Sequence, residues 1–204
     1  MPSHSSTLAR RSPQQARSTR RVSAFLQAAE ALFAELGFEN ATMTAIAGRA
    51  GSSIGALYSY FPDKKAIALA LLDAYAGEIK DHWRKLFEEG AAYSSKEFSR
   101  RFIDRFLDFV AEHPAYLALH AAPIRLRRNG AAKRAFRAAL VEGLRRRVPA
   151  LEQKAAELRV GVMLQIVQGM MRMYNDAEAS GRAAVVEEFK TALGSYMSSV
   201  FGER

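Results

Sequence analysis

The chain of 204 residues carries 30 Lys and Arg against 21 Asp and Glu, so its formal net charge is +9 and its pI is about 10.0. This charge favours an anionic partner such as nucleic acid and argues against an acidic enzyme surface. The absence of cysteine excludes disulfides, a thiolate nucleophile and a cysteine-ligated metal. No apolar run or signal-peptide pattern predicts a membrane span or export, so we expect a cytoplasmic protein.

The N-terminal residues 1–17 are rich in Ser, Pro, Gln and Arg, a composition that buries too little apolar surface to fold. We predict that they form a mobile basic arm. Two interpretations of this arm remain open: a solvated tail, or a segment that follows DNA phosphates or enters a minor groove. The arginines on which the second interpretation depends are Arg10, Arg11, Arg17, Arg20 and Arg21.

The first predicted helix begins near Ser18. Apolar residues recur between Val22 and Leu36 at spacings of three and four, which is typical of one buried helical face. Gly37 follows at the point where a residue with positive φ would terminate the helix.

Two short helices are predicted next. Thr42 or Thr44 is placed to cap the second helix, Gly51 allows a sharp turn after it, and Ser53 is placed to cap a third, very short helix. Two short helices joined by a tight glycine turn are typical of a helix-turn-helix. We therefore assign residues 18–62 to a DNA-binding domain.

The third helix suits a DNA groove because it is short and begins with the small residues Gly55 and Ala56. Ile54, Tyr58 and Ser59 are predicted to face base edges or thymine methyl groups. An alternative interpretation is that the tyrosines fill a small core and the hydroxyl groups only cap helices. The predicted phosphate ligands are Thr42, Thr44, Ser53, Tyr60 and Lys64.

A fourth and a fifth helix follow the helix-turn-helix. Asp63 is placed to cap a long fourth helix that reaches about Glu89. Ser94 and Glu97 have the spacing of a capping box, which opens a fifth helix that ends near Glu112.

Proline and glycine divide the next part of the chain. Pro114 suits the first turn of a sixth helix, which we expect to run to about Arg128. A seventh helix is predicted from Gly130 to about Val148, and Pro149 is placed to start the eighth.

The eighth helix is apolar on more than one side over residues 158–174, so it needs two neighbours. A ninth helix after Gly181 is apolar at helical spacing over residues 185–201. These two surfaces predict a homodimer that forms through the last two helices. No strand-like alternation is present, so the predicted fold class is all-α, with about nine helices and residues 63–204 forming a ligand-binding and dimerisation domain.

Residues 28–67 read AAEALFAELGFENATMTAIAGRAGSSIGALYSYFPDKKAI, and the segment from Arg20 to about Leu72 resembles the TetR-type transcriptional regulators. That family has an AA-x-x-LF-x-x-x-GF entry, a T-x-x-x-IA helix, an AG turn and a G-x-LY-x-YF recognition helix followed by a lysine. The resemblance implies homodimers of all-helical subunits that bind a double-stranded DNA operator and pair through their last two helices. The chain departs from the pattern at Ser52, usually apolar, and at Lys65, usually Glu.

Aromatic and methionine residues in the C-terminal part are suited to line the cavity of a small-molecule effector. A packed core is the alternative interpretation for each of them. The candidate ligand-binding residues are Trp83, Phe102, Phe106, His120, Met163, Gln165, Met170 and Tyr174.

No catalytic or metal-binding pattern is present in the sequence. His4, His82, His113 and His120 lack the spacing of metal ligands, and no G-x-S-x-G, P-loop or H-E-x-x-H motif occurs. We predict neither enzymatic activity nor a cofactor.

The leading hypothesis is a repressor that an effector releases from a palindromic operator, and that is nucleoid-associated while bound there. One alternative is a helical small-molecule-binding protein that no longer reads DNA, suggested by Ser52 and the aromatic residues. Another is a module for anionic membranes, which rests only on the basic run over residues 125–147. Such a run is otherwise typical of an exposed helix face.

Overall fold

A computed structural model describes residues 13–122 and 130–201, which form nine α-helices. No β-strand occurs within these residues, and the predicted all-α fold class is confirmed. The helices are α1 Pro13–Asn40, α2 Met43–Arg49, α3 Ile54–Tyr58, α4 Lys64–Glu89, α5 Ser95–Glu112, α6 Tyr116–Ala121, α7 Gly130–Arg147, α8 Gln153–Asp176 and α9 Arg182–Phe201.

Helix α1 begins at Pro13, before the boundary near Ser18 that composition predicts. The fixed φ of proline suits the first turn of a helix, and the following Gln, Ala and Arg residues are good helix formers. Residues 13–17 of the predicted arm are therefore helical, whereas Arg10 and Arg11 lie outside the described residues. Gly37 interrupts the helix with φ 75° and ψ 165°, a conformation that is open to glycine alone.

The turn between α2 and α3 has the predicted chemistry. Thr42 rather than Thr44 caps α2, because its Oγ1 accepts a hydrogen bond of 3.1 Å from the backbone N–H of Ala45. Gly51 has φ 62°, which allows the sharp turn. Ser53 Oγ caps α3 by accepting a hydrogen bond from Ala56 at 3.2 Å.

Hydroxyl and carboxylate caps also fix the starts of the two long central helices. Asp63 Oδ1 accepts a 2.7 Å hydrogen bond from the N–H of Ala66 and begins α4. Ser94 Oγ accepts a 3.1 Å hydrogen bond from the N–H of Glu97 and begins α5. The two long helices thus begin where the sequence predicts.

Helix α6 ends at Ala121, earlier than the predicted end near Arg128. Ala122 adopts φ −56° and ψ 132° because the next residue is Pro123, which disfavours helical backbone in the residue before it. The predicted continuation falls on residues 123–129, which lie outside the described part of the chain.

Helix α8 begins at Gln153 and not at Pro149. The chain first makes a turn in which the N–H of Leu151 donates to the carbonyl of Val148 at 2.9 Å. Pro149 therefore lies in this turn, another position that its fixed φ suits.

One hydrophobic core runs through both parts of the molecule. Helix α1 packs against α2, α4 and α6, while α5 packs mainly against α9, and α8 lies between α7 and α9. The largest fully buried side chains extend from Phe25 and Phe33 in α1 to Trp83 in α4 and Met170 in α8. Within the described ranges, no helix combines the length and apolarity that a membrane crossing requires.

Candidate DNA-binding surface and ligand cavity

One face of helix α3 packs against the core, and the other face is exposed to solvent. Leu57 is fully buried, whereas Ile54 is 38% exposed and Tyr58 is 53% exposed. Gly55, one turn before Ser59, has open space where a side chain would stand. The helix therefore presents Ile54, Gly55 and Tyr58 outward, as a groove-reading helix must.

The hydroxyl groups on this surface differ in whether they already form a hydrogen bond within the protein. Thr42 and Ser53 cap helices through their hydroxyl oxygens, which leaves their O–H protons to donate to a phosphate. Thr44 is exposed, and its side chain forms no hydrogen bond within the described residues. Ser59 is also exposed, but its hydroxyl group donates to the carbonyl of Ala56 at 2.7 Å.

Tyr60 and Ala56 lie at the edge of the α3 surface. Both are partly buried and pack against the core. The ring of Tyr60 lies with its centroid 5.8 Å from that of Phe25 in α1. Tyr60 therefore joins α1 to the segment after α3 and leaves only part of its ring exposed.

Lys64, predicted as a phosphate ligand, has a different role in the structure. Its ammonium group donates to the carbonyl oxygens of Phe38 at 2.8 Å, Glu39 at 2.6 Å and Ala41 at 3.1 Å. The same group lies 4.7 Å from the centroid of the Phe38 ring. All three of its protons are therefore used at the end of α1. The sequence predicts the break at Gly37, which frees these carbonyls from helical pairing, but it does not indicate that Lys64 is their donor.

Lys65 is the exposed cation at the start of α4. Within the described residues it forms no hydrogen bond or ion pair. Its position, rather than that of Lys64, leaves an ammonium group available near α3. Arg49 at the end of α2 is instead engaged by Glu35 at 2.7 Å, and this hydrogen bond lowers the pKa of the Glu35 carboxyl group.

A cavity of about 150 Å³ lies between α4, α5, α6, α7 and α8. Most of its wall is aromatic or aliphatic, and the charged side chains Asp73 and Arg137 belong to exposed residues. The lining residues are Leu72, Asp73, Tyr75, Ala76, Ile79, Trp83, Phe102, Phe106, Tyr116, His120, Phe136, Arg137, Leu164, Val167, Gln168 and Met171.

The structure brings four of the eight predicted ligand-binding residues to this cavity, namely Trp83, Phe102, Phe106 and His120. The indole N–H of Trp83 is buried and has no hydrogen-bond acceptor within the described residues. His120 Nδ1 donates to the carbonyl of Tyr116 at 2.8 Å. A cavity with a wall of this kind is suited to a mostly apolar molecule.

The other four predicted residues, all on α8, do not line the cavity. Met163 lies in a separate space of about 20 Å³ beside α5 and α9, and Met170 is fully buried. Gln165 is exposed, and the ring of Tyr174 lies 5.1 Å from the guanidinium of Arg182. The rotational phase of α8 explains the difference, because the cavity is lined by the positions Leu164, Val167, Gln168 and Met171.

Tyr75 connects the cavity wall to the DNA-binding domain. Its ring lines the cavity, and its hydroxyl group donates to Glu30 Oε1 of α1 at 2.5 Å. Burial and this hydrogen bond raise the pKa of Tyr75 well above its usual value, so the phenol stays protonated and donates. Helix α6, which supplies Tyr116 to the cavity, also packs on α1.

Two histidines lie outside the cavity and contact carboxylates. His82 Nδ1 is 3.6 Å from Glu112 Oε2, and His113 Nε2 is 3.2 Å from Glu78 Oε2. Among the side chains that the structure describes, no group of three or more metal-ligating residues is arranged to hold a metal ion. His4 lies outside the described residues.

The basic run over residues 125–147 does not form one uniform surface. Arg134, Arg145 and Arg146 are exposed. Arg147 is instead buried and donates to the carbonyl of Gly90 at 3.3 Å and to Ser95 Oγ at 3.2 Å. Its guanidinium therefore joins α7 to α5 and is not presented to an external anion.

Two family models match the chain. The model described as bacterial regulatory proteins, tetR family, matches residues 25–71, and the model described as tetracyclin repressor-like, C-terminal domain, matches residues 96–197. The second match alone spans half of the chain. Comparison with curated proteins gives no significant match.

Several solved structures share the fold over nearly the whole chain. The fatty acid degradation regulator FadR from Bacillus halodurans is 18% identical with a TM-score of 0.63, and the alignment covers 91% of this chain and 96% of FadR. A TetR-family regulator from Mesorhizobium loti is 17% identical with a TM-score of 0.65, covering 90% and 98%. NalD, the secondary repressor of the MexAB-OprM multidrug efflux pump in Pseudomonas aeruginosa, is 17% identical with a TM-score of 0.59, covering 91% and 98%.

Proposed function

Because the chain belongs to the TetR family of bacterial transcriptional regulators, we propose that it is a homodimeric repressor that binds a palindromic DNA operator and is released from it by a small-molecule effector. Regulation of transcription, rather than catalysis, is the activity of the family and of the similar structures. The site of action is the cytoplasm, where the DNA is.

The observation that carries the DNA-binding proposal is the outward face of α3. A buried Leu57 holds the helix while Ile54 and Tyr58 stand exposed beside Gly55. Two such helices, one from each subunit, enter successive major grooves about 34 Å apart. Thr42, Thr44 and Lys65 are the polar groups suited to contact phosphates on either side.

Replacement of Tyr58 by alanine tests this proposal. A duplex is first selected from a random-sequence library by the wild-type protein, and affinities are then measured by fluorescence anisotropy. A base contact is worth about 1–3 kcal/mol, so we expect Tyr58→Ala to weaken binding by about 5- to 150-fold per protomer. Tyr93→Ala, which changes a tyrosine of the C-terminal part, is the matched control. Equal affinity for Tyr58→Ala and wild type would contradict the base contact assigned to α3, whereas failure of the wild-type protein to select any duplex would favour a ligand-binding protein that does not read DNA.

The dimer is proposed to form through α8 and α9. Leu158 is 70% exposed and Met173 is 55% exposed, and Val162 lies between them along α8. Apolar side chains of this size on one helix are costly to leave in water and are typical of a subunit interface. A helix from the partner subunit would cover them.

The effector is proposed to bind in the cavity between α4 and α8. A volume of about 150 Å³ accommodates a molecule of roughly benzene size without rearrangement. An apolar ligand that buries about 200 Å² gains about 5 kcal/mol, and it shifts a two-state equilibrium strongly when this gain is made only in the conformation that releases DNA. The similarity to a fatty acid degradation regulator and to a repressor of an efflux pump supports a role of this kind.

Tyr75 supports a direct connection between effector and operator. A ligand that displaces its ring must also disturb the hydrogen bond to Glu30, which lies in the DNA-binding domain. Effector and DNA are then coupled because each favours a different position of α4 relative to α1.

A further inference from the structure

Helix α1 begins before the segment that the family model matches. The helix starts at Pro13, whereas the match starts at residue 25. Residues 13–24, called the extension below, are the first part of α1 and are about 18 Å long at 1.5 Å per residue.

The extension carries positive charge on one side. Arg17, Arg20 and Arg21 are spaced three and four apart, which places them on the same face of a helix. All three are exposed, and none forms an ion pair within the described residues. The first acidic residue of the chain is Glu30, so no carboxylate of the extension competes for these guanidinium groups.

The basic face begins next to the proposed DNA-binding surface. Phe25, one turn after Arg21, lies against the ring of Tyr60, and Tyr60 is two residues after the end of α3. Val22 also packs on the core, so the C-terminal end of the extension is held in place. The basic face is thus continuous with the surface that carries α3.

We propose that Arg17, Arg20 and Arg21 form a second phosphate-binding surface, which contacts the DNA backbone outside the base pairs that α3 reads. This inference rests on the proposed DNA-binding function and adds a site to it. Guanidinium groups suit phosphate oxygens in charge and geometry. Contacts of this kind raise affinity without reading sequence, and they make binding more dependent on salt.

The test compares the full-length wild-type protein with a variant in which Arg17, Arg20 and Arg21 are all replaced by glutamine. Glutamine is as good a helix former as arginine, so the variant is expected to fold with unchanged helix content. Affinity for the library-selected duplex is measured by anisotropy between 50 and 200 mM KCl. Each neutralised phosphate contributes about 0.9 to the slope of log affinity against log salt. Three contacts per protomer therefore contribute about 2.7 to the slope. When the salt concentration rises fourfold, the affinity of the wild type should fall about 40-fold more per protomer than the affinity of the variant.

The matched control removes three exposed cations elsewhere, by Arg134→Gln, Arg146→Gln and Lys154→Gln. Its salt slope is expected to equal that of the wild type. The extension variant should retain the wild-type ratio of affinities for the selected duplex and a scrambled one, and should lose hydroxyl-radical protection only outside the α3 half-sites. An unchanged slope and footprint for the extension variant would overturn this inference and leave operator binding intact. If the wild-type protein binds no duplex, both this inference and the proposed function fail.

Discussion

Replacement of Lys64 by methionine separates two roles for this residue, as a phosphate ligand and as a support for the turn after α1. Methionine retains most of the apolar stem and removes the ammonium group. The three carbonyl oxygens of Phe38, Glu39 and Ala41 then lose their shared donor. The structure therefore predicts a loss of folding stability rather than a loss of DNA affinity.

The magnitude follows from the contacts that disappear. A hydrogen bond from a charged donor contributes about 1.5–3 kcal/mol, but the three bonds share one partly buried ammonium group and are not additive. The contact with the Phe38 ring adds about 0.5–1 kcal/mol, and methionine loses about as much side-chain entropy as lysine on folding. We expect a net destabilisation of about 2–4 kcal/mol. For a chain of this length, that corresponds to a fall in Tm of about 4–16 °C.

Urea unfolding at fixed protein concentration measures this effect, and Lys65→Met is the control. Lys65 is adjacent, exposed and without a hydrogen bond or ion pair in the described part of the chain. Its replacement should leave stability within about 0.5 kcal/mol and reduce the salt slope of DNA binding by about 0.9 per protomer. The opposite pattern, a stable Lys64→Met with a reduced salt slope, would refute the role assigned to Lys64.

Three further changes test other parts of the structure. Gly37→Ala should cost about 1–3 kcal/mol in urea unfolding, because φ 75° is strained for alanine, whereas Gly48→Ala in an open helical position should stabilise by up to about 1 kcal/mol. Leu158→Glu should give a monomer in sedimentation with unchanged helical circular dichroism; a dimer at micromolar concentration would contradict the proposed interface. Tyr75→Phe should reduce the effect of a ligand, identified by quenching of Trp83 fluorescence, on operator affinity by about 10- to 100-fold, and an unchanged effect would exclude its bond to Glu30 as the connection.

Local signals predict the helices of this chain well, because caps and glycines act within a few residues. Asp63 and Ser94 cap the helices they were expected to cap, and Gly51 has the positive φ that its turn needs. The errors come from proline. Pro149 was assigned to a helix start although it suits a turn equally, and the effect of Pro123 on Ala122 was overlooked.

The cavity was less predictable than the helices because its wall comes from five helices. The sequence identifies which residues of α8 are apolar. Because α8 is apolar on more than one side, the sequence does not indicate which neighbouring helix Met163, Met170 or Tyr174 faces. Only the packing of α7 and α9 around α8 selects Val167 and Met171 for the cavity, while Met163, one turn before Val167, lines a separate space. The positions of Trp83 and Phe106 were easier to predict, because α4 and α5 each bury a single helical face.

The role of Lys64 was hidden for a similar reason, since its partners are backbone carbonyls more than twenty residues away. This arrangement also restricts how an effector can act. Lys64 and Tyr75 attach α4 to α1 at two points, one at the carbonyls after Gly37 and one at Glu30. The attachment at Lys64 is worth about 2–4 kcal/mol from these contacts, so breaking it would consume a large part of the roughly 5 kcal/mol that an apolar ligand supplies. The less costly response is for α1, α2, α3 and the start of α4 to move as one body. We therefore expect an effector to change the distance between the two copies of α3 in the dimer and to leave each copy folded, so hydrogen exchange in α3 should be the same with and without ligand.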